Sequence, residues 1–169
     1  MKCLSSKFKL IVLISTLLVL AGCSATSTRP NTFQYLNGPD TILLQQEIES
    51  GTDVNEKDLD GRTLLHHAIR YTPAKVPFLL ENGASVNVQD KYGLTPVHVA
   101  VLFNPQYIAQ MLLLKPDLTL KTSSAVGCYG LHRTNMETRG LTAFELAEYC
   151  QKNDAIDQFQ LFAQDTLVW

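Results

Sequence analysis

The sequence lacks the local motifs by which most enzyme sites are recognised. It contains no Gly-x-Ser-x-Gly turn, no His-Glu-x-x-His metal motif and no glycine-rich phosphate loop. Its four histidines leave few groups from which an acid–base or metal site could be built. We therefore expect a protein that is not an enzyme and that has no catalytic residues, no metal, no cofactor and no small-molecule substrate.

Basic residues are too few to form a surface for nucleic acid. The chain has 14 lysines and arginines against 16 aspartates and glutamates. Without residues 1–22, which hold three lysines and no acidic residue, 11 basic and 16 acidic residues remain, a net charge of about −5. Phosphate backbones bind clustered positive charge, so nucleic acid is not expected as a partner.

The N-terminal apolar run, Leu10–Leu20, is too short to cross a bilayer. Its 11 residues would extend ~16 Å as a helix, about half of the ~30 Å hydrocarbon core. It follows lysines at positions 2, 7 and 9, as the apolar part of a signal peptide does. The run leads into Leu-Ala-Gly-Cys, with the cysteine at position 23. These features favour an export signal, and a buried apolar helix is the alternative.

This ending resembles the lipobox of bacterial lipoproteins. The resemblance implies that residues 1–22 are a lipoprotein signal peptide and that Cys23 is the lipid attachment site, acylated on its sulfur and its new amino group. Several acyl chains give durable membrane anchoring. Ser24 stands where an aspartate would signal inner-membrane retention, so the resemblance favours the inner leaflet of the outer membrane, facing the periplasm. An ordinary secretory signal remains the alternative.

Residues 23–40 are rich in Ser, Thr, Asn and Pro, a composition typical of a flexible linker. We expect them to form a lipidated tether between the membrane and a domain that covers residues 41–169.

The domain contains an internal repeat. Residues 50–58 match residues 82–90 at an offset of 32, and Gly61 and Gly93 have the same offset. Thr63-Leu64-Leu65-His66 recurs as Thr95-Pro96-Val97-His98, and residues 142–147 echo the same pattern. Two short apolar helices lie between successive glycines. Because such a helix pair cannot bury its apolar face alone, the repeats must stack on one another.

The repeat is similar to that of the ankyrin family, whose signature is Thr-Pro-Leu-His-x-Ala in a period of about 33 residues. The resemblance implies an all-α ankyrin-repeat solenoid of about three to four repeats, in which paired short helices alternate with β-hairpin fingers. It also implies that His66 and His98 link neighbouring repeats by hydrogen bonds. His67 has no such role in the family, and it falls on the groove-lining surface.

The third repeat carries a long insert at residues 123–139. Gly140 comes 18 positions after Thr122, whereas Gly93 comes three positions after Asp90. Insertions in repeat proteins map to loops that often serve binding, and a tolerated surface loop is the alternative. Cys128 in the insert and Cys150 after it are a possible disulfide in an oxidising compartment. Two free thiols are the alternative.

A repeat scaffold of this kind predicts binding of another protein. The candidate partner-binding residues occupy finger tips and groove-facing positions that we expect the fold not to need: Asp60, Arg62, His67, Arg70, Tyr71, Tyr92, Phe103, Tyr129, His132, Arg133 and Arg139. The most concrete function is that of an immunity protein, which binds and neutralises a secreted antibacterial toxin such as a phospholipase effector. The alternative is a periplasmic assembly or chaperone-like factor that supports a resident envelope enzyme. The apolar end, Leu167-Val168-Trp169, is either a cap or part of an interface.

Overall fold

The computed structural model describes Phe33, Leu36, Gly38 and residues 41–128 and 139–166 of the 169-residue chain. Cys23, Tyr129, His132, Arg133 and the segment 167–169 lie outside the described residues. The signal peptide and the lipid site therefore stay predictions.

Seven short α-helices form the described part of the chain, and no strand occurs in it. The helices are α1 Ile42–Glu49, α2 Leu64–Tyr71, α3 Val76–Glu81, α4 Pro96–Phe103, α5 Ile108–Leu112, α6 Ala143–Tyr149 and α7 Asn153–Thr166. Single 3₁₀ turns, Pro73–Lys75 and Pro105–Tyr107, lead into α3 and α5. Across the ranges that the structure covers, no helix has both the length and the apolar character needed to span a membrane.

The helices pair within each repeat and stack from one repeat to the next. Helices α2, α4 and α6 contact one another in sequence and form an inner row, while α5 and α7 pack together in an outer row. The apolar stripes predicted from the sequence meet between these rows. Leu64, Ile69, Val76, Leu79, Ile108, Met111 and Leu146 are fully buried there. One continuous core thus runs through the stacked repeats.

The domain begins earlier in the chain than predicted. Leu36 is only 4% exposed and belongs to the core, and Phe33 packs against it. Both residues fall within the segment 23–40 that the sequence predicts as a flexible tether. The prediction is therefore wrong for these two residues, because Leu36 is buried in the core and Phe33 packs against it.

A threonine begins each inner helix. Thr63, Thr95 and Thr142 have extended backbone, and each forms a capping box with the residue three positions on. In α6 the partner is Glu145, whose carboxylate accepts the Thr142 N–H at 2.7 Å. In α2 and α4 it is a histidine, whose Nδ1 accepts the threonine N–H at 3.1 and 3.2 Å. These hydrogen bonds satisfy backbone N–H groups at the start of the helix, which have no partner within the helix.

The same histidines connect successive repeats. Because Nδ1 of His66 accepts a backbone N–H, its Nε2 carries the proton and donates to the carbonyl of Leu94, 3.0 Å away. His98 reaches the carbonyl of Leu141 at 3.3 Å in the same way. Burial lowers the pKa of both imidazoles to about 4, so they are neutral at pH 7. The inter-repeat link implied by the family resemblance is present.

Tight turns, here called fingers, precede the inner helices at residues 58–62 and 90–94. Their ends are joined by backbone hydrogen bonds, Asp58 N–H to Arg62 O and Asp90 N–H to Leu94 O, both 2.9 Å. The carboxylate of each aspartate also accepts two N–H groups inside its own turn. The predicted β-hairpin fingers are thus closed turns without regular strands. The aspartate carboxylates accept hydrogen bonds from backbone N–H groups that would otherwise pair between two strands.

Replacing Gly93 by alanine is expected to destabilise the domain more than replacing Gly61. Both glycines have a left-handed backbone, with φ +76° and +75°, so both variants incur the same local cost of about 1–2 kcal/mol. Only at Gly93 would the new Cβ collide with neighbouring backbone, at Ser123 N and Lys121 O. At Gly61 the nearest atom is 3.4 Å away. Urea unfolding should therefore separate the variants by at least about 1 kcal/mol, and equal losses would contradict the close packing of Gly93 against residues 121–123.

The domain should lose stability as the pH falls from 6.5 to 4. The imidazoles of His66 and His98 have a folded-state pKa of about 4 against 6.5 when unfolded. The unfolded state therefore binds protons first, and stability is complete above pH 6.5 and declines below it, by on the order of 3 kcal/mol for each imidazole. Asp58, whose ordinary value is 3.8, contributes only at lower pH. In a His98→Gln variant the free energy of unfolding, measured with urea, should change with pH about half as steeply as in the wild type. Equal pH dependence of the two proteins would contradict this.

Candidate functional site

A crevice opens on the side of the inner helices where the fingers meet α2 and α4. Five predicted binding residues line it: Arg62, His67, Arg70, Tyr71 and Phe103. The remaining lining residues are His66, Asp90, Leu94 and Val99. We call this surface the groove. Its enclosed volume is about 30 Å³, against the ~300–1,000 Å³ of typical small-molecule sites. The groove therefore suits contact with a macromolecular surface.

Arginine side chains lie over aromatic rings on the walls of the groove. The Arg70 guanidinium is 4.7 Å from the centre of the Phe103 ring and 5.1 Å from that of Tyr71. This stacking couples α2 to α4. Cation–π contacts of this kind contribute about 0.5–1 kcal/mol at exposed positions. Tyr71 is 60% exposed, so its ring is available to a partner.

A second set of charged contacts joins the two fingers. Asp60 is bonded to Arg62 Nη1 at 3.3 Å and to Lys91 Nζ at 2.6 Å. Arg62 also contacts Asp90, whose side chain is only 1% exposed, through Nε at 3.5 Å. The Tyr92 ring lies 5.0 Å from Lys91 Nζ and 5.9 Å from the Arg62 guanidinium. Side chains at the finger tips are thus positioned by one another before any partner arrives.

His67 is more firmly held than the sequence predicts. Its Nε2 lies 2.7 Å from Asp58 Oδ2, and its ring packs edge-on against Phe33 at 4.9 Å and stacks on Tyr71 at 6.1 Å. Burial alone would raise the pKa of Asp58. Hydrogen bonds from His67 and from the N–H groups of Arg62 and Asp60 outweigh burial and hold that pKa below its ordinary value. The imidazole therefore also stabilises the first finger.

The predicted partner-binding residues are expected, from the sequence, not to be needed by the fold. This expectation is wrong for three of them. His67 bonds to Asp58, while Tyr92 and Phe103 are partly buried and pack against the core. Substituting them would alter stability as well as binding. Tyr71 is the most exposed of the groove aromatics, which makes it the cleaner position for a binding test.

The sequence reasoning missed two participants in this site. Lys91 is the cation that bridges the fingers through Asp60. The offset of 32 could have indicated it, because it places position 91 at a finger tip next to Tyr92. Phe33 lies against His67, and the composition of residues 23–40 carries no periodic signal that would predict this contact.

Residues 122–128, which comprise Thr122 and the first part of the insert, are here called the limb. Its even-numbered residues are buried or partly buried while 123, 125 and 127 are exposed, so one side of the limb packs on the domain. Ser123 donates its N–H to Tyr92 O at 2.8 Å, and Arg139 Nε donates to Ser123 O at 3.0 Å. The predicted binding residue Arg139 thus helps to close the base of the insert.

A disulfide joins the far end of the limb to the last inner helix. Cys128 and Cys150 are bonded, with their Cα atoms 5.4 Å apart and 22 positions between them in sequence. Both are buried. At the other end, Thr122 pairs with Leu141, and Gly140 donates to Thr122 O at 2.8 Å. Thr122 and Gly140 therefore take the places that Asp90 and Gly93 have in the second finger, and the insert lies between them.

No group of three or more histidine, cysteine, aspartate or glutamate side chains within 41–128 and 139–166 is arranged to hold a metal ion.

The architecture agrees with a comparison against known families. Residues 29–122, more than half of the chain, match the family of ankyrin repeats in three copies. The chain belongs to the ankyrin-repeat family. No curated protein matches the sequence. The ankyrin match includes Phe33 and Leu36, and it stops at Thr122, immediately before the insert. Helices α6 and α7 continue the same stacking after the insert.

Membership of the ankyrin family carries a functional consequence. Ankyrin-repeat domains are generally protein-interaction modules, and their stacked repeats present extended binding surfaces. Binding of a protein partner is therefore the role that this chain's family implies, and the groove is the candidate surface.

Mass spectrometry of the unreduced protein, purified under oxidising conditions, should show no free thiol at Cys128 or Cys150. Closing a loop of this length contributes about 3 kcal/mol in the chain-entropy model. Cys150→Ser should therefore lower the free energy of unfolding by that amount. Cys128→Ser/Cys150→Ser should lose no more than the single variant, because either change removes the same cross-link. Two alkylatable thiols in that protein would contradict the bond.

Proposed function

We propose that the chain is a lipid-anchored ankyrin protein of the bacterial periplasm that captures another protein in its groove. The observation that carries this proposal is the groove itself. It presents Arg70 stacked on both Tyr71 and Phe103, and arginine and aromatic residues dominate the energetics of protein interfaces.

The two cysteines of the domain support the proposed location in the periplasm. Disulfides persist in oxidising environments such as the periplasm and are rare in the cytosol, and Cys128 is bonded to Cys150. The signal-like residues 1–22 and the lipobox ending at Cys23 favour the same location, with Ser24 favouring the outer membrane. Two independent features thus agree on export.

Within this class, we propose that the protein is an immunity protein that neutralises a secreted toxin. The side chains of the groove are positioned by mutual contacts, such as Arg62 with Asp60 and Asp90. Prior positioning lowers the entropy cost of association and so favours the tight binding that inhibition requires. Anchoring at the membrane would place the inhibitor where a membrane-directed toxin acts.

Changing the groove should abolish partner capture while leaving the fold intact. The test variant is Arg70→Glu/Tyr71→Ala, which reverses one charge and removes one exposed ring. The matched control is Leu113→Ala/Lys115→Glu, which makes similar changes at the exposed end of α5 in the outer row. Affinity purification of the full chain from detergent-solubilised envelope, repeated in the presence of the products of its neighbouring genes, gives the readout.

We expect the control to retain the partner and the groove variant to lose at least about tenfold in affinity, since interface arginine and tyrosine positions each carry more than ~1 kcal/mol. Cells that express the toxin in the periplasm should grow only with the wild-type or control protein. If the folded groove variant captured the partner as well as the wild type, the binding site would not be the groove. Capture of a resident envelope enzyme, with no protection from the toxin, would contradict the immunity role.

Replacing Cys23 by serine should release the protein from the membrane. Without the thiol no diacylglycerol can be attached, and the anchoring contribution of roughly 0.8 kcal/mol per buried CH₂ is lost. Metabolic labelling with palmitate and fractionation of the envelope measure this directly. Labelling of the serine variant, or an unlabelled wild type, would contradict the proposed anchor.

A further inference from the structure

The tip of the first finger carries a large apolar side chain that the domain does not cover. Leu59 is 106% exposed, the highest value of any large apolar residue in the described part of the chain. Essentially all of its surface is therefore in water. A leucine in this state gains free energy when another molecule takes its side chain out of water.

The finger itself does not require a leucine at this position. The repeat offset of 32 places Lys91 at the same position of the second finger. The two fingers close through the same backbone hydrogen bond, and their glycines have nearly the same φ, +75° and +76°. Since a finger of this geometry also forms with a lysine at its tip, the exposed leucine serves no need of the turn.

The backbone on both sides of Leu59 is fixed. The carboxylate of Asp58 accepts the N–H groups of Asp60 and Arg62, each at 2.8 Å. The carbonyl of Asp60 accepts the backbone N–H of Lys91, also at 2.8 Å. Because the turn is already ordered, little backbone entropy would be lost when a partner covers its tip.

The first finger is continuous with the groove. Asp58 is bonded to His67 at 2.7 Å, and both His67 and Arg62 line the groove. A protein that lies in the groove therefore lies next to the finger that carries Leu59.

The charges of this surface balance one another. The groove and the two fingers together hold three carboxylates and three cations: Asp58, Asp60, Asp90, Arg62, Arg70 and Lys91. Asp60 is paired with Arg62 and with Lys91, and Arg62 also contacts Asp90. A surface without net charge does not select a strongly acidic or strongly basic partner. Apolar contact is then the larger source of affinity.

We propose that Leu59 contacts the captured protein directly and enters an uncharged, apolar pocket on its surface. The paired charges of the two fingers form the polar rim around this contact, as in other protein interfaces. This proposal rests on the proposed function, because it names the chemistry of the surface that the captured protein presents.

Site-specific photocrosslinking in intact cells locates the contact. A photoreactive phenylalanine analogue replaces Leu59 in one variant of the full chain. In the control it replaces Leu113, which is 75% exposed and follows α5 in the outer row. We expect a discrete cross-linked species from position 59 and not from position 113. No species from position 59, or the same species from both positions, would overturn the proposal.

The same experiment separates this proposal from the proposed function. Adding Arg70→Glu/Tyr71→Ala to the position-59 variant should remove the cross-link, because the partner is then no longer held in the groove. A cross-link from position 59 that survives these substitutions would contradict the groove as the capture site while still supporting the contact of Leu59.

Calorimetry with the cross-linked protein, identified by mass spectrometry and purified, measures the contribution of the leucine. Leu59→Lys, which introduces the residue of the second finger, should weaken binding at least about tenfold, because a charged group cannot enter an apolar pocket without cost. Leu59→Met, which keeps size and apolar character, and Leu113→Lys should each bind within about threefold of the wild type. Thermal unfolding of each variant verifies that the fold is kept. Equal binding by the wild type and Leu59→Lys would overturn the proposal.

The dependence of affinity on salt gives a second measurement. Between about 0.1 and 1 M NaCl the Debye length falls from about 10 to 3 Å. Binding through an apolar contact within a charge-balanced surface should weaken by no more than about threefold over this range. A larger loss would show that recognition depends on unbalanced charge, and would overturn the uncharged pocket.

Discussion

Two buried imidazoles set the spacing between successive repeats. His66 and His98 each join the start of their own inner helix to the carbonyl that ends the next finger, at Leu94 or Leu141. These rings are buried and neutral. Loss of either hydrogen bond would therefore leave a buried polar atom without a partner, which is costly because water cannot reach it. The register of the fingers depends on this link, and so do the contacts of Asp60 with Arg62 and Lys91.

The limb gives this solenoid a feature that open stacking does not require. A repeat array can extend its binding surface with every added unit. Here residues 122–128 lead into the insert and are fastened through Cys128 to Cys150. A segment fastened in this way has less conformational entropy to lose when a partner binds.

The repeats could be predicted from the sequence because their signals are local. Thr63, His66 and Gly61 recur at a constant offset, and each residue type has a distinct physical role in its turn or helix start. The contact of Phe33 with His67 could not be predicted, because no pattern links an isolated aromatic residue to a position 34 residues away. The partial burial of Tyr92 and Phe103 was missed for a similar reason. Residues at finger tips and helix ends are buried only through tertiary packing.

Hydrogen exchange on the domain with and without its captured partner tests the central claim most directly. A partner held in the groove should slow exchange of backbone amides in residues 58–71 and 90–103. Amides of α5 and α7 in the outer row should be unchanged. Protection centred on the outer row, with none between residues 58 and 71, would contradict the assignment of the groove as the binding site.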